Sequence, residues 1–250
     1  MSVDDAAYSR YERIYLVLAA TFVTLLVLTN IVGIKLFQAP HDSTFALTTG
    51  IVTYPLTFLV TDIVSEIYGQ KRADFMVILG FFMSVLMLVI VQIAVALPPS
   101  DLWPPPPGAG GFYDNATDYQ HAFRSVFSLQ GVLLFGSMLA YLVAQLIDNR
   151  LYHFWKRKTG GKHLWVRNNG STMISQFFDT AIVNSILFYI GFGMEFWTGV
   201  QIMATIYVYK LCIAVVDTPL IYLGVWGTKR LLGVAWEDEV PNPAAAAAAK

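Results

Sequence analysis

The chain has 250 residues, 56% of them hydrophobic and 13% charged, with a formal charge of −1 and a mean hydropathy of +0.56. Soluble domains carry about 25% charged residues, so this composition excludes an ordinary soluble domain. The single cysteine, Cys212, excludes a disulfide framework and a cysteine metal site.

A bilayer core about 30 Å thick needs roughly 20 apolar residues per helix, and spans must satisfy their own backbone hydrogen bonds, so apolar runs of this length are read as helices. The first run, Ile14–Phe37, is too long for a signal-peptide core and lacks a small-residue cleavage pattern, so it is expected to be retained as a span. It ends in Thr29-Asn30-Ile-Val-Gly-Ile-Lys35. Asn30 lies deep enough to need a partner, and Lys35 is placed to snorkel outward.

The second run, Phe45–Ile67, is less apolar and carries Tyr54, Pro55, Asp62 and Glu66. An ionisable side chain near the bilayer centre costs about 2.5–3.5 kcal/mol on insertion scales. Asp62 and Glu66 are spaced i, i+4 and share one helix face. A proton, a cationic group or a lysine is needed to relieve their repulsion. Tyr54, with Tyr207 further on, is placed to stack on a flat ligand. The third run, Phe75–Leu97, has no charge at all.

The segment from Pro98 to Ser125 contains Pro98-Pro99, Pro104 to Pro107 and Gly108, Gly110 and Gly111, and reads as a stiff, partly polyproline connection. The fourth run is Val126–Ile147. The fifth, Thr172–Phe192, is preceded and opened by the block Arg167 to Thr180. Within it Asn168, Thr172, Ser175, Gln176 and Asp179 fall in an arc of about 100°. Serine and threonine alone would be ordinary interhelical glue, but with Gln176 and Asp179 the stripe reads as a ligand-facing surface. The sixth run, Val200–Gly227, brings Tyr207, Lys210, Asp217 and Pro219. Lys210 and Asp217 lie on one face about 10 Å apart along the axis, too far for a direct pair, so each is expected to partner another helix. Cys212 is expected to be a small buried residue.

Twelve lysines and arginines fall in the N-terminal segment, in the connections after the second and fourth runs and after the sixth run; the opposite side has Arg124. The positive-inside bias therefore places both termini in the cytoplasm of a six-span, all-α integral membrane protein. A single transmembrane domain is expected over residues 1–236, with 237–250 a low-complexity, disordered tail. Division into three plus three spans would give halves of inverted topology, a common transporter plan.

Three motifs carry a resemblance: Tyr54-Pro-Leu-Thr-Phe-Leu-Val-Thr-Asp-Ile-Val-Ser-Glu-Ile-Tyr-Gly-Gln-Lys-Arg-Ala73, the Arg167–Thr180 block, and Thr29-Asn-Ile with Lys35. Together with the six-span length they resemble the queuosine precursor transporter family, also described as bacterial vitamin uptake transporters. The resemblance covers nearly the whole chain. It implies import across the inner membrane of a deazaguanine base, 7-cyano-7-deazaguanine or its aminomethyl relative, for tRNA modification. The residues are compatible with that substrate. A guanine-like edge presents an N–H and an exocyclic amine, which one carboxylate accepts together. The candidate substrate-binding residues are Asp62, Glu66, Asn168, Thr172, Ser175, Gln176, Asp179, Tyr54, Asn30, Lys210 and Asp217.

A substrate-binding subunit of an ATPase-energised transporter is the alternative, although small residues four apart in the first run are not evident: Ala19 meets Val23, and Ala20 meets Thr24. No Walker-type loop, His-Glu-x-x-His or Gly-x-Ser-x-Gly motif occurs. The four histidines lie in connections, so neither catalytic residues, nor a metal site, nor a cofactor, nor a nucleic-acid partner is expected. The expected partners are the small-molecule substrate and the lipid bilayer, with a homodimer left open.

Overall fold

A computed structural model of the chain describes residues 3–33, 35–38, 46–103, 115–127, 132–191, 193–236 and 238. Helix α1 spans Val3–Val32 and leads through a short antiparallel hairpin, β1 Leu36–Gln38 and β2 Ala46–Thr48, into α2 at Gly50–Tyr68. Phe37 pairs with Leu47 in that hairpin. Gly69, at a φ of 82° that side-chain-bearing residues rarely adopt, separates α2 from α3 at Gln70–Ala96. A 12-residue helix, α4 (Ala116–Phe127), precedes α5 (Val132–Lys158) and α6 (Leu164–Ser185). A π-helical turn, Ile186–Gly191, prolongs α6. Helix α7, Phe196–Leu232, begins where the Glu195 side chain accepts the Thr198 N–H at 3.2 Å, a side-chain N-cap.

Each of the helices overlaps one of the apolar runs, α4 only by its last two residues. Among the described residues, three of them contain stretches long and apolar enough to cross a membrane: Tyr8–Val32 of α1, α3, and α7. Helices α2, α5 and α6 carry polar side chains, and those side chains face inward. Thr57, Thr61, Asp62 and Ser65 of α2, Gln145, Asp148 and Asn149 of α5, and Ser171, Ser175, Gln176 and Asp179 of α6 are all buried. Meanwhile Phe75, Phe82, Leu86, Ile90 and Ile93 of α3 are exposed. A polar interior inside an apolar exterior reverses the arrangement of a soluble protein and is what lipid requires.

The boundaries differ from the sequence expectation in ways that bear on the site. The second run begins as the β2 strand, since residues 46–48 pair with β1 before the helix starts. The fourth run is divided between α4 and α5, and α5 continues eleven residues past Ile147 to Lys158. The fifth helix starts at Leu164 and not at Thr172, so the whole polar block lies on one continuous helix. Part of the external segment read as a connection is helical, from Ala116 onward. Pro104 to Gly111 and the tail from Glu239 lie outside the described residues. Cys212 is exposed, contrary to the buried reading. A thiol is apolar enough to sit on a lipid-facing side of α7, so helix position and not hydropathy decides its burial.

Close helix approach relies on small residues, as is usual where lipid supplies no hydrophobic drive for association. A Cβ on Gly80 of α3 would lie 2.6 Å from Cε1 of Phe22 and 2.9 Å from Cδ2 of Leu26, both on α1. On the other side of the bundle, Gly224 of α7 receives the Ile63 side chain of α2.

A polar seam through the helix bundle

Helices α2 and α5 meet in register. Tyr141 donates its hydroxyl proton to Thr57 Oγ1 at 2.9 Å, Thr61 donates to Gln145 Oε1 at 3.3 Å, and Ser65 donates to Asn149 Oδ1 at 3.2 Å. Each pair is separated by 84 residues. Repeats of four on both helices at a constant offset require the two helices to run parallel, each presenting one polar stripe to the other. Gln145 also donates to Tyr141 at 2.6 Å, and Asn149 to Asp74 of α3 at 2.9 Å. Helix α6 lies against this pair, and the ionisable groups sort into three levels along it.

At one level Glu66 is surrounded by cations. Arg167 reaches its Oε1 at 2.8 Å, Lys156 lies 3.3 Å from Oε2, and the Tyr152 hydroxyl donates to Oε2 at 3.0 Å. Arg167 is held from behind by the carbonyls of Gly161, at 2.7 Å, and Lys162, at 3.3 Å. Its side chain is buried, with an exposure of 4%. This network joins α2, α5, α6 and the turn between the last two.

One helical turn along α2, Asp62 is buried and faces Asp148 of α5 within hydrogen-bonding reach. The Ser175 hydroxyl donates to Asp148 Oδ1 at 2.8 Å, and Ser171 and Thr172 stand beside the same carboxylate. Among the described residues, Asp62 Oδ1 and Asp148 Oδ2 have no hydrogen-bond partner.

The third level lies two further turns along α2, about 12 Å from Asp62 at 1.5 Å per residue. Here Lys210 of α7 donates to Asp179 Oδ2 at 2.6 Å, and its ammonium stands 4.7 Å from the centre of the Tyr54 ring. The Tyr54 hydroxyl is buried beside Asp179 and Gln176, and among the described residues no group meets it with hydrogen-bond geometry. Gln176 Oε1 and Thr180 Oγ1 are likewise unpartnered. Tyr54 packs on Phe58 and edge-on against Tyr141. An aromatic face, an amide, a carboxylate and an ammonium therefore converge with unused polar atoms, the composition expected where a ligand group would be bound.

The remaining sequence candidates are spread around this seam. Asn168 and Thr172 are buried on the α6 face that also bears Ser175. Asp217 of α7 is half-buried in the neighbourhood of Asp62. Asn30 sits apart from the seam and donates to Ser84 of α3 at 3.1 Å, tying α1 to α3. The Tyr207 hydroxyl donates to the Met173 carbonyl at 2.9 Å, and Lys35 is exposed.

Sequence reasoning missed the contribution of α5: Tyr141, Gln145, Asp148, Asn149 and Tyr152. Their spacing of i, i+4, i+7, i+8 and i+11 is a helical stripe. It escapes a hydropathy reading because the apolar run stops at Ile147, so Asp148 and Asn149 look like flanking residues. Two clefts of about 350 and 280 Å³ lie elsewhere, one beside Trp226 and Trp236, the other between the ends of α3 and α4.

Apolar helices enclosing a buried, charged and amide-lined seam define a multi-pass membrane protein with an interior suited to a polar solute. A family described as "Putative vitamin uptake transporter" matches residues 48–224, and the chain belongs to that family. The chain is also 27% identical over 176 residues, 70% of its own length and 70% of the relative's, to a Bacillus subtilis (strain 168) protein named "Probable queuosine precursor transporter". No solved structure matches the chain.

Proposed function

We propose that this chain is a secondary transporter that imports a queuosine precursor, 7-cyano-7-deazaguanine or its aminomethyl relative, across the bacterial inner membrane. It does so with six spans and both termini in the cytoplasm. Family membership and the relative's name support the substrate class. The observation that carries the binding site is the constellation of buried Gln176 and Asp179 with partly buried Tyr54 and Lys210, in which the Tyr54 hydroxyl and the Gln176 carbonyl have no partner among the described residues.

In this reading the base stacks on Tyr54 and presents its N–H and amine edge to Asp179, while Gln176 reads the carbonyl side. Lys210 neutralises Asp179 when the site is empty of base. The incoming donor edge takes over acceptor capacity that Lys210 now uses, so binding and release of the ion pair are linked. Glu66 belongs to the ion network with Arg167 and Lys156, and holds the ends of α2, α5 and α6 together. Asn168, Thr172 and Ser175 continue the polar wall of α6, and Asp217 adds a further acid from α7.

The test is uptake of labelled 7-cyano-7-deazaguanine by the purified protein alone in liposomes. Saturable uptake competed by the aminomethyl base is the expected result. Uptake that appears only with an added ATPase partner would favour a substrate-binding subunit instead. No uptake of either base in both settings would remove the substrate assignment.

A further inference from the structure

We propose that Asp62 and Asp148 together form a binding site for one proton, whose loading is coupled to movement of the substrate. The inference rests on the transporter reading above and supplies its coupling ion.

Both side chains are buried, with exposures of 2% and 0%, and they face each other from two different helices. An ionised carboxylate only accepts hydrogen bonds. Two of them within hydrogen-bonding reach attract only when a proton lies between them, and repel otherwise. The hydrogen-bond pattern fits a shared proton. Ser175 satisfies Asp148 Oδ1, whereas Asp62 Oδ1 and Asp148 Oδ2 are left without any donor.

Among the described residues, the charged groups around the pair are committed to other partners. On α2 the nearest charge is Glu66, already matched by Arg167 of α6 and Lys156 of α5. On α5 the neighbour is Tyr152, and on α7 it is the acidic Asp217, while Lys229 donates to the Trp236 and Asp238 carbonyls. From α3, Asp74 is reached only through Asn149. On α1, Glu12 is taken by Arg72, which Tyr11 and Tyr15 flank. Lys210 is committed to Asp179. Among the described residues, no lysine or arginine forms an ion pair with Asp62 or Asp148.

The pair bridges α2 and α5, the two helices that also carry Tyr54 and Tyr141 at the base site. Protonation converts their contact from repulsive to attractive and so biases how closely the two helices pack. A proton taken up from outside, carried with one neutral base and released inside leaves one positive charge moved per turnover.

Two measurements test this. In liposomes containing a pH-sensitive dye, uptake of 7-cyano-7-deazaguanine by the protein should acidify the lumen. An inward gradient should accumulate the base about tenfold per pH unit for one proton per base. Asp148→Asn should abolish both effects yet keep exchange of internal for external base. Transport indifferent to the gradient would overturn the coupling and leave the transporter reading intact. Loss of exchange together with accumulation in Asp148→Asn would make the residue structural, and also overturn it. The second measurement needs no transport: infrared spectra of the purified protein near neutral pH should show a protonated carboxylic acid. That band should be absent from Asp62→Asn/Asp148→Asn. A missing band, one unchanged in the double variant, or one removed by sodium at constant pH would overturn the proton site. If neither base is transported, the infrared result still decides it.

Discussion

Glu66 and Asp62 look equivalent in the sequence, two acids four apart on one helix face, and the fold gives them opposite surroundings. Glu66 meets Arg167 from 101 residues away and Lys156 from 90; no local pattern reveals that match. Asp62 meets another acid. Asp179 was legible as a polar-stripe residue, and its need for a partner was legible too, but the identity of Lys210 as that partner requires the packing of α6 on α7. These environments give different expected outcomes for removing each charge. Glu66→Gln leaves Arg167 buried without its carboxylate, and breaking a buried pair in this way costs about 3–5 kcal/mol. The detergent-solubilised variant should therefore unfold at a clearly lower temperature, and Glu66→Gln/Arg167→Gln should recover part of the loss. A melting curve for Glu66→Gln that matches the unaltered protein would show that the network is not structural. Asp179→Asn keeps volume but loses the charge-assisted double acceptor. It should weaken deazaguanine binding by about 10- to 150-fold, equivalent to roughly 1.5–3 kcal/mol. Equilibrium binding to the purified variant checks this, and near-normal affinity would place the donor edge elsewhere.

The helices themselves were largely legible, because runs of the right length and apolarity leave few alternatives in lipid. What was not legible is where polar faces continue past the apolar run, as in α5, since hydropathy averages over a window while burial depends on the face. The α2–α5 ladder at a constant offset of 84 residues arises from two stripes with the same four-residue repeat. It becomes visible only once both helices are known to run parallel. Packing at glycine is similar: a glycine in an apolar run signals a close approach without naming the partner. Gly80→Ala would drive a methyl group into Phe22 and Leu26, and Phe22 is fully buried with nowhere to swing. Overpacking of this kind costs about 1–3 kcal/mol, so the variant should melt earlier. Gly227 on α7 has nothing within 4 Å of an added Cβ, and Gly227→Ala should be neutral or stabilising by about 0.5–1 kcal/mol. Thermal unfolding of both variants side by side reads the contrast, and equal melting points would contradict the close contact of α1 with α3.

At the scale of the whole molecule, orientation follows from which charges are free to feel the membrane. Twelve basic residues lie on the side assigned to the cytoplasm, but the fold shows that some of them are spent internally. Arg72 pairs with Glu12 at 2.6 Å, and Arg167 and Lys156 share Glu66. Arg167, 4% exposed, belongs to the protein interior more than to the surface. Arg150, Arg157, Lys158 and Lys162 are exposed around the α5–α6 turn, and Arg10, Arg13 and Lys71 are exposed beside it in topology. The bias therefore survives the subtraction, because exposed lysines and arginines within reach of the span ends are what the insertion machinery reads. The parallel course of α2 and α5 is what two alternate spans of one chain require in either orientation, so labelling decides the orientation. The chain has one cysteine, Cys212, so Cys212→Ser provides a cysteine-free background. In that background a cysteine at Gly160, in the α5–α6 turn, should react with an impermeant maleimide only after the cell membrane is opened. A cysteine at Asp101, in the turn after α3, should react in intact cells. Labelling of the Gly160 position from outside would invert the orientation. It would then move Glu66, Arg167 and their network to the external face, and make that network an outer closure of the transport path.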